Sequence, residues 1–386
     1  MPRLKKVSRL IQIPGIGVDR MANIADVAND PEILRLENLD TDILPPEIAF
    51  QATQAAISDD NNNSYLPFLG QNSLRQAVMQ RIMRINGIHY DWNNQCIISA
   101  GGMSGILNCM LALIEPGDEI ITTDPVYAGI INRIRLAGGI IKFVPLLPTQ
   151  DGWRLDIESL KNAATTRTRM IVISPGMPSG HVLTFEEWQA ITDACIKTDC
   201  WLLYDAAMER IVYDNRPVIH PVSFPGMYER TITVGAASKE LRMIGWRVGW
   251  IVGPQTIMND IGLVSITNVV CQVGISMPGV TAALTSKNDG LEHAIDIWQE
   301  RRDLLLAELH GLPVIPPHGG WSLLLNTEKL GIASKDFSNK LLQDAKIATT
   351  PMIGWGEQAA QYVRFVFSNE PIERLRGIGA KIKAIL

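Results

Sequence analysis

The sequence lacks the patterns that mark disulfide-rich and metal-binding proteins. Its 386 residues include no CxxC pair, and the cysteines have neither metal-ligand spacing nor the even number of a disulfide framework. We expect reduced thiols in the core of a cytoplasmic protein, and no metal. The five cysteines are Cys96, Cys109, Cys195, Cys200 and Cys271.

Long apolar runs and clustered positive charge are also missing. The formal net charge is −5 and the basic residues are scattered, which argues against a nucleic-acid partner. No apolar run approaches the length needed to span a bilayer. The N-terminal stretch is basic, but Pro14, Gly15 and Gly17 interrupt its apolar part, so it predicts no signal peptide. A small-molecule partner is the remaining expectation.

What the sequence does contain is the alternation typical of an α/β protein. Short β-branched apolar runs alternate with amphipathic stretches of helical period, which favours a mostly parallel sheet with helical crossovers. Thr184 is the expected N-cap of a helix over 185–198, and another helix is expected over 104–117. The expected strands are 95–100, 119–124, 140–146, 169–175, 200–205, 230–236 and 248–254.

The character of the chain changes near residue 290. A charged helical run is followed by expected strands at 321–326 and 362–368 and by a last basic helix. We therefore predict a large domain over 48–288 and a smaller α+β domain built from 1–47 and 289–386.

The segment SKELRMIGWRVG (238–249) places a lysine among small residues directly after an expected strand. A lysine that forms an imine needs close packing and neighbours that lower its pKa, and the nearby Arg247 suits that role. Taken alone, Lys239 is more often a solvated lysine at a strand end.

This segment resembles the S-K-x-x-x-x-x-G-x-R-x-G signature of class I/II aminotransferases, and further motifs follow the order of that family over nearly the whole chain. The resemblance implies an α/β fold of PLP-dependent transferase fold type I, with a mostly parallel seven-stranded sheet flanked by helices and a smaller α+β domain. It implies pyridoxal 5′-phosphate (PLP) as the cofactor, Lys239 as the Schiff-base lysine, neighbouring Ser238 as a cofactor contact and Arg247 as a phosphate ligand.

Three other segments resemble cofactor-binding parts of the same family. CWLLYDAAMERIVY (200–213) implies Asp205 as the carboxylate facing the pyridine nitrogen, and TDPVYAGI (123–130) implies Tyr127 as the ring stacked on the cofactor. SAGGMSGIL (99–107) resembles the phosphate-binding turn, with the main chain of Gly102 and Met103 in contact with the phosphate. Outside the family context, an ordinary turn or cap is the favoured interpretation of each.

Two further matches concern the dimer and the substrate. SYLPFLGQNSLR (64–75) implies that Tyr65 reaches the phosphate in the neighbouring subunit, so a homodimer with shared active sites is expected. YVRFVFS (362–368) implies that Arg364 binds the substrate α-carboxylate, for which a planar guanidinium offers two parallel hydrogen bonds.

The chain departs from the family pattern near the cofactor's phenolic oxygen O3′. Met177, in SPGMPSG (174–180), and Met208 stand where the family has an Asn and a Tyr that donate to O3′. A thioether donates nothing, so we hypothesise that the lysine imine keeps its proton to higher pH. The alternative is that both methionines only fill space.

The substrate side departs as well. In LENLDTDILPP (36–46), Asn38 or Leu39 stands where the family usually has a glycine, and Asn38 is the expected substrate contact. His181 is expected either in a surface loop or, less favoured, as an extra acid or base in the pocket.

The expected reaction is transamination between an L-amino acid and a 2-oxo acid, with Lys239 moving a proton between the substrate Cα and the cofactor C4′. One alternative keeps PLP and the deprotonation at Cα but ends in elimination, replacement or cyclisation, for example on a hydroxylated arginine. A second alternative, a PLP-fold protein without catalysis, is disfavoured because Lys239, Asp205, Arg247 and Arg364 are all present.

Overall fold

The computed structural model describes residues 7–11, 13 and 17–386. Within these ranges, β-strands form one large sheet and two smaller ones. In chain order the strands are Leu34–Arg35 (β1), Cys96–Ser99 (β2), Glu119–Asp124 (β3), Ile140–Thr149 (β4), Gly152–Leu155 (β5), Thr168–Ile173 (β6), Trp201–Asp205 (β7), Thr231–Ala236 (β8), Gly249–Val252 (β9), Val314–Ile315 (β10), Ser322–Asn326 (β11), Ile347–Ala348 (β12), Thr350–Pro351 (β13) and Tyr362–Val366 (β14).

The large sheet has the order β2-β9-β8-β7-β6-β3-β4-β5. Its central strands β8, β7, β6, β3 and β4 run parallel, while β9 is antiparallel to both of its neighbours. All seven strands expected from the sequence are present. The sheet has one more, because β4 continues past Pro145 and Pro148 to Thr149 and turns back into β5. Prolines at these positions suggest the end of a strand, yet an edge hairpin tolerates them.

Helices cover both faces of this sheet. Ile120 and Ile121, successive residues of β3, are buried in two different apolar clusters, as expected for a strand covered on both sides. The helices are Ser8–Ile11 (α1), Gly17–Ala28 (α2), Glu47–Ile57 (α3), Asn72–Asn86 (α4), Trp92–Gln95 (α5), Gly102–Leu113 (α6), Ala128–Ala137 (α7), Ile157–Ala163 (α8), Phe185–Thr198 (α9), Gln255–Val269 (α10), Met277–Thr285 (α11), Leu291–Glu308 (α12), Ser334–Ala345 (α13), Ile372–Leu375 (α14) and Ile378–Ala384 (α15).

Two helix predictions have different outcomes. Thr184 caps α9 as expected, in a capping box with Glu187. The single basic helix expected at the C-terminus is instead two short helices, α14 and α15. They are separated at Gly377, which has φ +78° and begins α15 as its N-cap. Its amide donates to Glu308 Oε1 at 2.8 Å, so a tertiary contact stabilises the break.

The smaller sheet, β10-β11-β14-β13, is antiparallel and includes both strands expected near the C-terminus. The N-terminal segment joins this part of the fold, since β1 pairs in parallel with β12 and Val366 donates its amide to the Leu36 carbonyl. The chain from Leu36 onward is thereby brought next to β14.

The carboxyl ends of the central strands determine where a site forms. Asp124, Asp205 and Ala236 are the last residues of β3, β7 and β8, and parallel strands place these ends at one edge of the sheet. The cysteines are free, and all but the half-buried Cys271 are buried, as the sequence predicted. Among the helices that the structure describes, none combines the length and the apolar character needed to cross a bilayer.

Candidate active site

A cavity of about 300 Å³ opens at this edge of the large sheet, facing the smaller sheet and the N-terminal segment. It collects residues from distant parts of the sequence, and nearly all those predicted from sequence are among them. The predicted residues that line it are Gly102, Met103, Tyr127, Met177, Asp205, Met208, Ser238, Lys239, Arg247 and Arg364.

Lys239 lies in the turn that follows β8. Its Nζ donates a hydrogen bond to the Leu39 carbonyl at 2.8 Å and lies 4.7 Å from the centroid of the Trp321 ring. Burial lowers the pKa of Lys239 to about 8, and the nearby arginines Arg364 and Arg247 add to this effect against the opposing charges of Asp40 and Asp205. A larger fraction of neutral amine is therefore present near neutral pH than for a solvated lysine, which suits a nucleophile.

Asp205 ends β7 in a half-buried position beside this lysine. Its carboxylate accepts hydrogen bonds from the Ser174 hydroxyl at 2.9 Å and from the Ala207 amide at 3.2 Å. Burial raises the pKa of Asp205, while these hydrogen bonds and Lys239 oppose the rise. A largely desolvated carboxylate whose close hydrogen-bond partners are neutral donors favours a cationic N–H group in the cavity.

The other end of the cavity is an anion cradle where two sources of positive potential meet. The helix α6 begins at Gly102, and its first amides are not satisfied within the helix. Gly101 has φ +84°, and a Cβ there would lie 2.6 Å from Arg247 Nη2. Only glycine lets the guanidinium come this close to the helix. Arg247 Nη1 is oriented by the Ile244 carbonyl at 2.9 Å and the Ser238 hydroxyl at 3.4 Å.

Tyr127 forms one wall between these two ends. It precedes α7, and its ring meets Trp355 edge to face, with centroids 5.4 Å apart. The loop that carries Trp355 is fixed to the large sheet, since the Asp124 carboxylate accepts hydrogen bonds from the amides of Glu357 at 2.8 Å and Gln358 at 2.9 Å. Trp355 lines the cavity; the sequence raised it only as one of several residues in loops that no motif could place.

Arg364 extends from β14 into the opposite side of the cavity and is 1% exposed. Its Nη2 donates to the Glu37 carbonyl at 2.6 Å, and its guanidinium lies 4.8 Å from the Trp355 ring centroid. Nη1 has a weak partner in Met177 Sδ at 3.8 Å, and Nε has none among the described residues. Burial lowers the pKa of Arg364 to about 10. These spare donors favour an incoming anion, for which a carboxylate has the right shape.

Two predicted site residues lie outside this cavity. Leu39, rather than Asn38, lines the cavity in the N-terminal segment. The sequence left the choice between these neighbours open at first, and only the backbone path distinguishes them. Tyr65 is 83% exposed and does not line the cavity of its own chain. The position of Tyr65 is compatible with a role in a neighbouring subunit.

His181 fits neither sequence expectation. It is buried, not in a surface loop, and its Nε2 lies 3.1 Å from Glu187 Oε2. It does not line the cavity, so a role as an extra acid or base has no geometric support. The contact with Glu187, which takes part in the capping box of α9, indicates a structural role for His181.

The geometry agrees with the comparisons to known proteins. The family model for aminotransferase class I and II matches residues 34–376. The chain belongs to this aminotransferase family. It is 29% identical over 355 residues to the arginine–pyruvate transaminase of Pseudomonas aeruginosa, covering 90% of this chain and 89% of that one. It is also 29% identical over 315 residues to aromatic-amino-acid aminotransferase 2 of Thermococcus litoralis, covering 80% and 81%.

Solved structures give the same result. The N-succinyldiaminopimelate aminotransferase of Mycobacterium tuberculosis has a TM-score of 0.91 at 27% identity, and the match covers 99% of this chain and 100% of that chain. The protein is therefore an aminotransferase with the fold of the PLP-dependent family. The matches give no support to a lyase or cyclase.

Proposed function

We propose that this aminotransferase holds pyridoxal 5′-phosphate covalently through Lys239 and transfers an amino group from an L-amino acid to a 2-oxo acid. The observation that carries the proposal is a match of three chemistries in one cavity: an anion cradle, the desolvated carboxylate of Asp205 and an amine with a lowered pKa. These suit the phosphate, the pyridine nitrogen and the aldehyde of PLP in turn.

Each residue has a defined task toward the cofactor. Arg247, Ser238 and the first amides of α6 at Gly102 and Met103 bind the phosphate. Asp205 keeps the ring nitrogen protonated, and Tyr127 packs on the face of the ring. The bound cofactor supplies an electron sink for negative charge at the substrate Cα.

The substrate side has one anion site and one proton carrier. Arg364 binds the α-carboxylate with the donors that lack strong partners in the chain. Lys239 would hold the cofactor as an imine and, as a neutral amine, would move the proton removed from the substrate Cα. The Leu39 carbonyl, which accepts from Nζ at 2.8 Å, orients the amine for this transfer.

Borohydride reduction followed by peptide mapping tests the covalent attachment. Reduction converts a lysine imine to a stable secondary amine, so we expect the pyridoxyl group on the peptide that contains Lys239. The Lys239→Ala variant is the matched control and should lose both this modification and the visible absorption band of the imine. A pyridoxyl group on another lysine, or a wild-type protein without such a band, contradicts the proposal.

The active site is completed by a second copy of the chain in this proposal. Tyr65 and Phe68 are 83% and 49% exposed, and Val273 and Ile275 are 50% and 39% exposed. These segments adjoin each other, because Gly274 packs against the Asn62 carbonyl and the Leu66 side chain. Exposed apolar side chains in one patch favour an interface, and a two-fold axis through it brings Tyr65 to the phosphate of the partner.

Hybrid dimers test whether the sites are shared. In a heterodimer of Lys239→Ala and Tyr65→Ala, sharing leaves one site with both native residues and the other with neither. We expect the mixed and re-equilibrated variants to recover up to about a quarter of wild-type activity when dimers pair at random. Activity equal to the mean of the two separate variants contradicts sharing, and a monomer in sedimentation contradicts the dimer.

A further inference from the structure

A buried ion pair adjoins the turn that carries Lys239. Glu240, the next residue in the chain, is 2% exposed, and Arg81, in α4, is 6% exposed. Arg81 Nη2 donates a hydrogen bond to Glu240 Oε2. Neither residue lines the cavity, so neither has a task in the proposed function. Both are already buried within one chain, so the pair does not depend on what a second copy contributes.

The other oxygen of Glu240 joins this turn to the segment that follows β7. Glu240 Oε1 accepts a hydrogen bond from the main-chain amide of Arg210 at 2.8 Å. The same segment begins after Asp205, which ends β7 and lines the cavity. One carboxylate therefore connects the turn of Lys239 both to α4 and to the segment next to Asp205. The relative position of Lys239 and Asp205 depends on this connection.

The main chain of the Lys239 turn is held as well. The Arg242 amide donates to the Lys239 carbonyl at 3.1 Å, and Arg242 Nη1 donates to the Glu240 carbonyl at 2.6 Å. Arg242 Nε lies 3.4 Å from the Leu44 carbonyl, so the same side chain reaches the N-terminal segment. Arg242 has φ +56°, a conformation that residues other than glycine seldom adopt. Such a conformation persists where surrounding contacts determine it.

A third carboxylate near the pair, that of Glu209, does not take Arg81 from Glu240 at neutral pH. Burial raises the pKa of Glu209 to about 8, and the charge of Glu240 adds to this effect while Arg81 opposes it. Glu209 is therefore mostly protonated at neutral pH. Arg210 has its own carboxylate in Asp289, with Nη1 at 3.0 Å from Oδ2. Arg81 is thus left as the cation that pairs with Glu240.

The pair acts on the place of the Lys239 amine more than on its charge. Besides burial, the groups that shift the pKa of Lys239 are the charges of Asp40, Arg364, Arg247 and Asp205. The carboxylate of Glu240 is instead engaged by Arg81 and by the Arg210 amide. Loss of Glu240 should therefore move the turn without moving the pKa of the amine.

We propose that Glu240, paired with Arg81, is a positioning residue that fixes the turn from which the Lys239 amine reaches the cavity. The inference rests on the proposed function, which makes Lys239 the residue that attaches the cofactor, and it adds a residue that acts through Lys239. A correctly placed nucleophile reacts faster than the same group on a turn that can shift.

Stopped-flow absorbance after mixing the apoenzyme with PLP over a range of pH tests the role of Glu240. In Glu240→Gln, the limiting rate of imine formation at high pH should fall by about 10-fold, because a misplaced reacting group loses rate. The midpoint of the pH profile should stay where it is in wild type. A displaced midpoint with an unchanged limiting rate would mean that Glu240 acts by its charge, and this outcome overturns the inference.

Glu187→Gln is the matched control for loss of a buried carboxylate. Glu187 is 3% exposed and accepts the amides of Leu155 at 2.7 Å and Thr184 at 2.8 Å, away from the Lys239 turn. Both glutamine variants should unfold at a lower temperature than wild type, but only Glu240→Gln should form the imine slowly. Equal rates in wild type and Glu240→Gln, with a lowered unfolding temperature, would show a purely structural role and overturn the inference.

Variants of Arg81 test the pairing and remain informative if Glu240→Gln does not fold. Arg81→Met should lower the limiting rate as Glu240→Gln does, and the double variant should be no slower than either, because the two residues act as a unit. Arg81→Lys keeps the charge opposite Glu240 and should stay within about 3-fold of the wild-type rate. Losses that add in the double variant, or an Arg81→Lys variant as slow as Arg81→Met, overturn the pairing.

The wild-type reaction separates this inference from the proposed function. If the wild-type apoenzyme forms no imine with PLP, or forms it on another lysine, the proposed function is wrong and the inference falls with it. If wild type forms the imine at Lys239 and Glu240→Gln forms it at the same rate, the inference alone is wrong.

Discussion

The two arginines of the active site are built in different ways. Arg247 follows a 3₁₀ turn, is exposed in the single chain, and acts beside the amides at the start of α6. Arg364 extends from a central strand of the smaller sheet, is 1% exposed, and packs on Trp355, and its Nε has no partner among the described residues. Under the proposed function, Arg247 is one of several donors to the cofactor phosphate, whereas Arg364 is the one guanidinium assigned to the substrate carboxylate.

This difference predicts unequal consequences of mutation. A phosphate that loses one guanidinium keeps the helix amides and a hydroxyl. A substrate carboxylate that loses Arg364 is left among Met177, Trp355 and Tyr127, none of which carries a charge. The buried end of the site should therefore be the more sensitive one, although the proposed function gives the exposed end the more highly charged group.

The largest effect is expected for Arg364→Gln. Removing one partner of a buried charge pair costs about 2–5 kcal/mol, so kcat/KM for the amino donor should fall by about 30-fold to 5,000-fold. The affinity for PLP should change little. Steady-state kinetics at saturating PLP and a PLP titration of the apoenzyme measure the two quantities. If Arg364→Gln lost PLP affinity and kcat/KM to the same extent, the predicted difference between the two ends of the cavity would be wrong.

Arg247→Gln is the matched substitution at the other end. We expect the Kd for PLP to rise by about 10-fold, since a hydrogen bond to a charged group contributes about 1.5–3 kcal/mol and the amides of α6 remain. At saturating PLP, kcat/KM should fall less than in Arg364→Gln. A larger loss of kcat/KM than in Arg364→Gln would reverse the comparison.

The sequence predicted those site residues that lie in motifs of fixed spacing or directly after a strand. Lys239 and Arg247 lie in one short segment, and Asp205 and Gly102 follow strands that are evident from their apolar runs. Leu39 and Trp355 come from loops whose positions depend on contacts between distant segments, such as the Asp124 carboxylate with the Glu357 and Gln358 amides. No local pattern encodes such a contact, although the glycines on both sides of Trp355 were a signal of a special loop.

The fold could likewise be predicted only where local sequence patterns determine it. Strands buried on both faces are mostly apolar and could be predicted, whereas β5 is short and pairs only at the edge of the sheet. The break at Gly377 was visible as a glycine inside a helical pattern. Its stabilisation by Glu308, far away in sequence, was not. Local sequence patterns were sufficient to predict elements that are buried in the core. They were insufficient where a contact with a side chain distant in sequence determines the structure.

The pH dependence of cofactor attachment reports the pKa of Lys239, which both arginines lower. The neutral amine attacks the aldehyde, and burial with the charges of Arg364 and Arg247 lowers the pKa of Lys239 to about 8. The rate of imine formation by the apoenzyme should thus rise with pH and level off above about 8, instead of near the ordinary value of about 10.4. Stopped-flow absorbance after mixing with PLP gives this profile.

Variants at the two arginines sharpen that measurement. Removing either positive charge should stabilise the protonated lysine and move the midpoint to higher pH. The shift should be greater in Arg364→Gln than in Arg247→Gln, because the buried arginine is the stronger of the two charge effects on Lys239. Equal midpoints in wild type and both variants would show that burial alone sets the pKa.

The smallest effect is expected at the two methionines that line the cavity, Met177 and Met208. Met177 and Met208 both line the cavity and neither donates a hydrogen bond, so we expect the wild-type imine to hold its proton above neutral pH. Met177→Asn adds a donor for the phenolic oxygen. A hydrogen bond to a charged acceptor contributes about 1.5 kcal/mol, so the midpoint of the spectral pH titration should fall by about one unit. Met177→Leu, which keeps the volume without a donor, should leave the midpoint in place. If the Asn and Leu variants titrate alike, the methionines serve only to fill space next to Arg364, and the protonation of the imine is controlled by the charged end of the site.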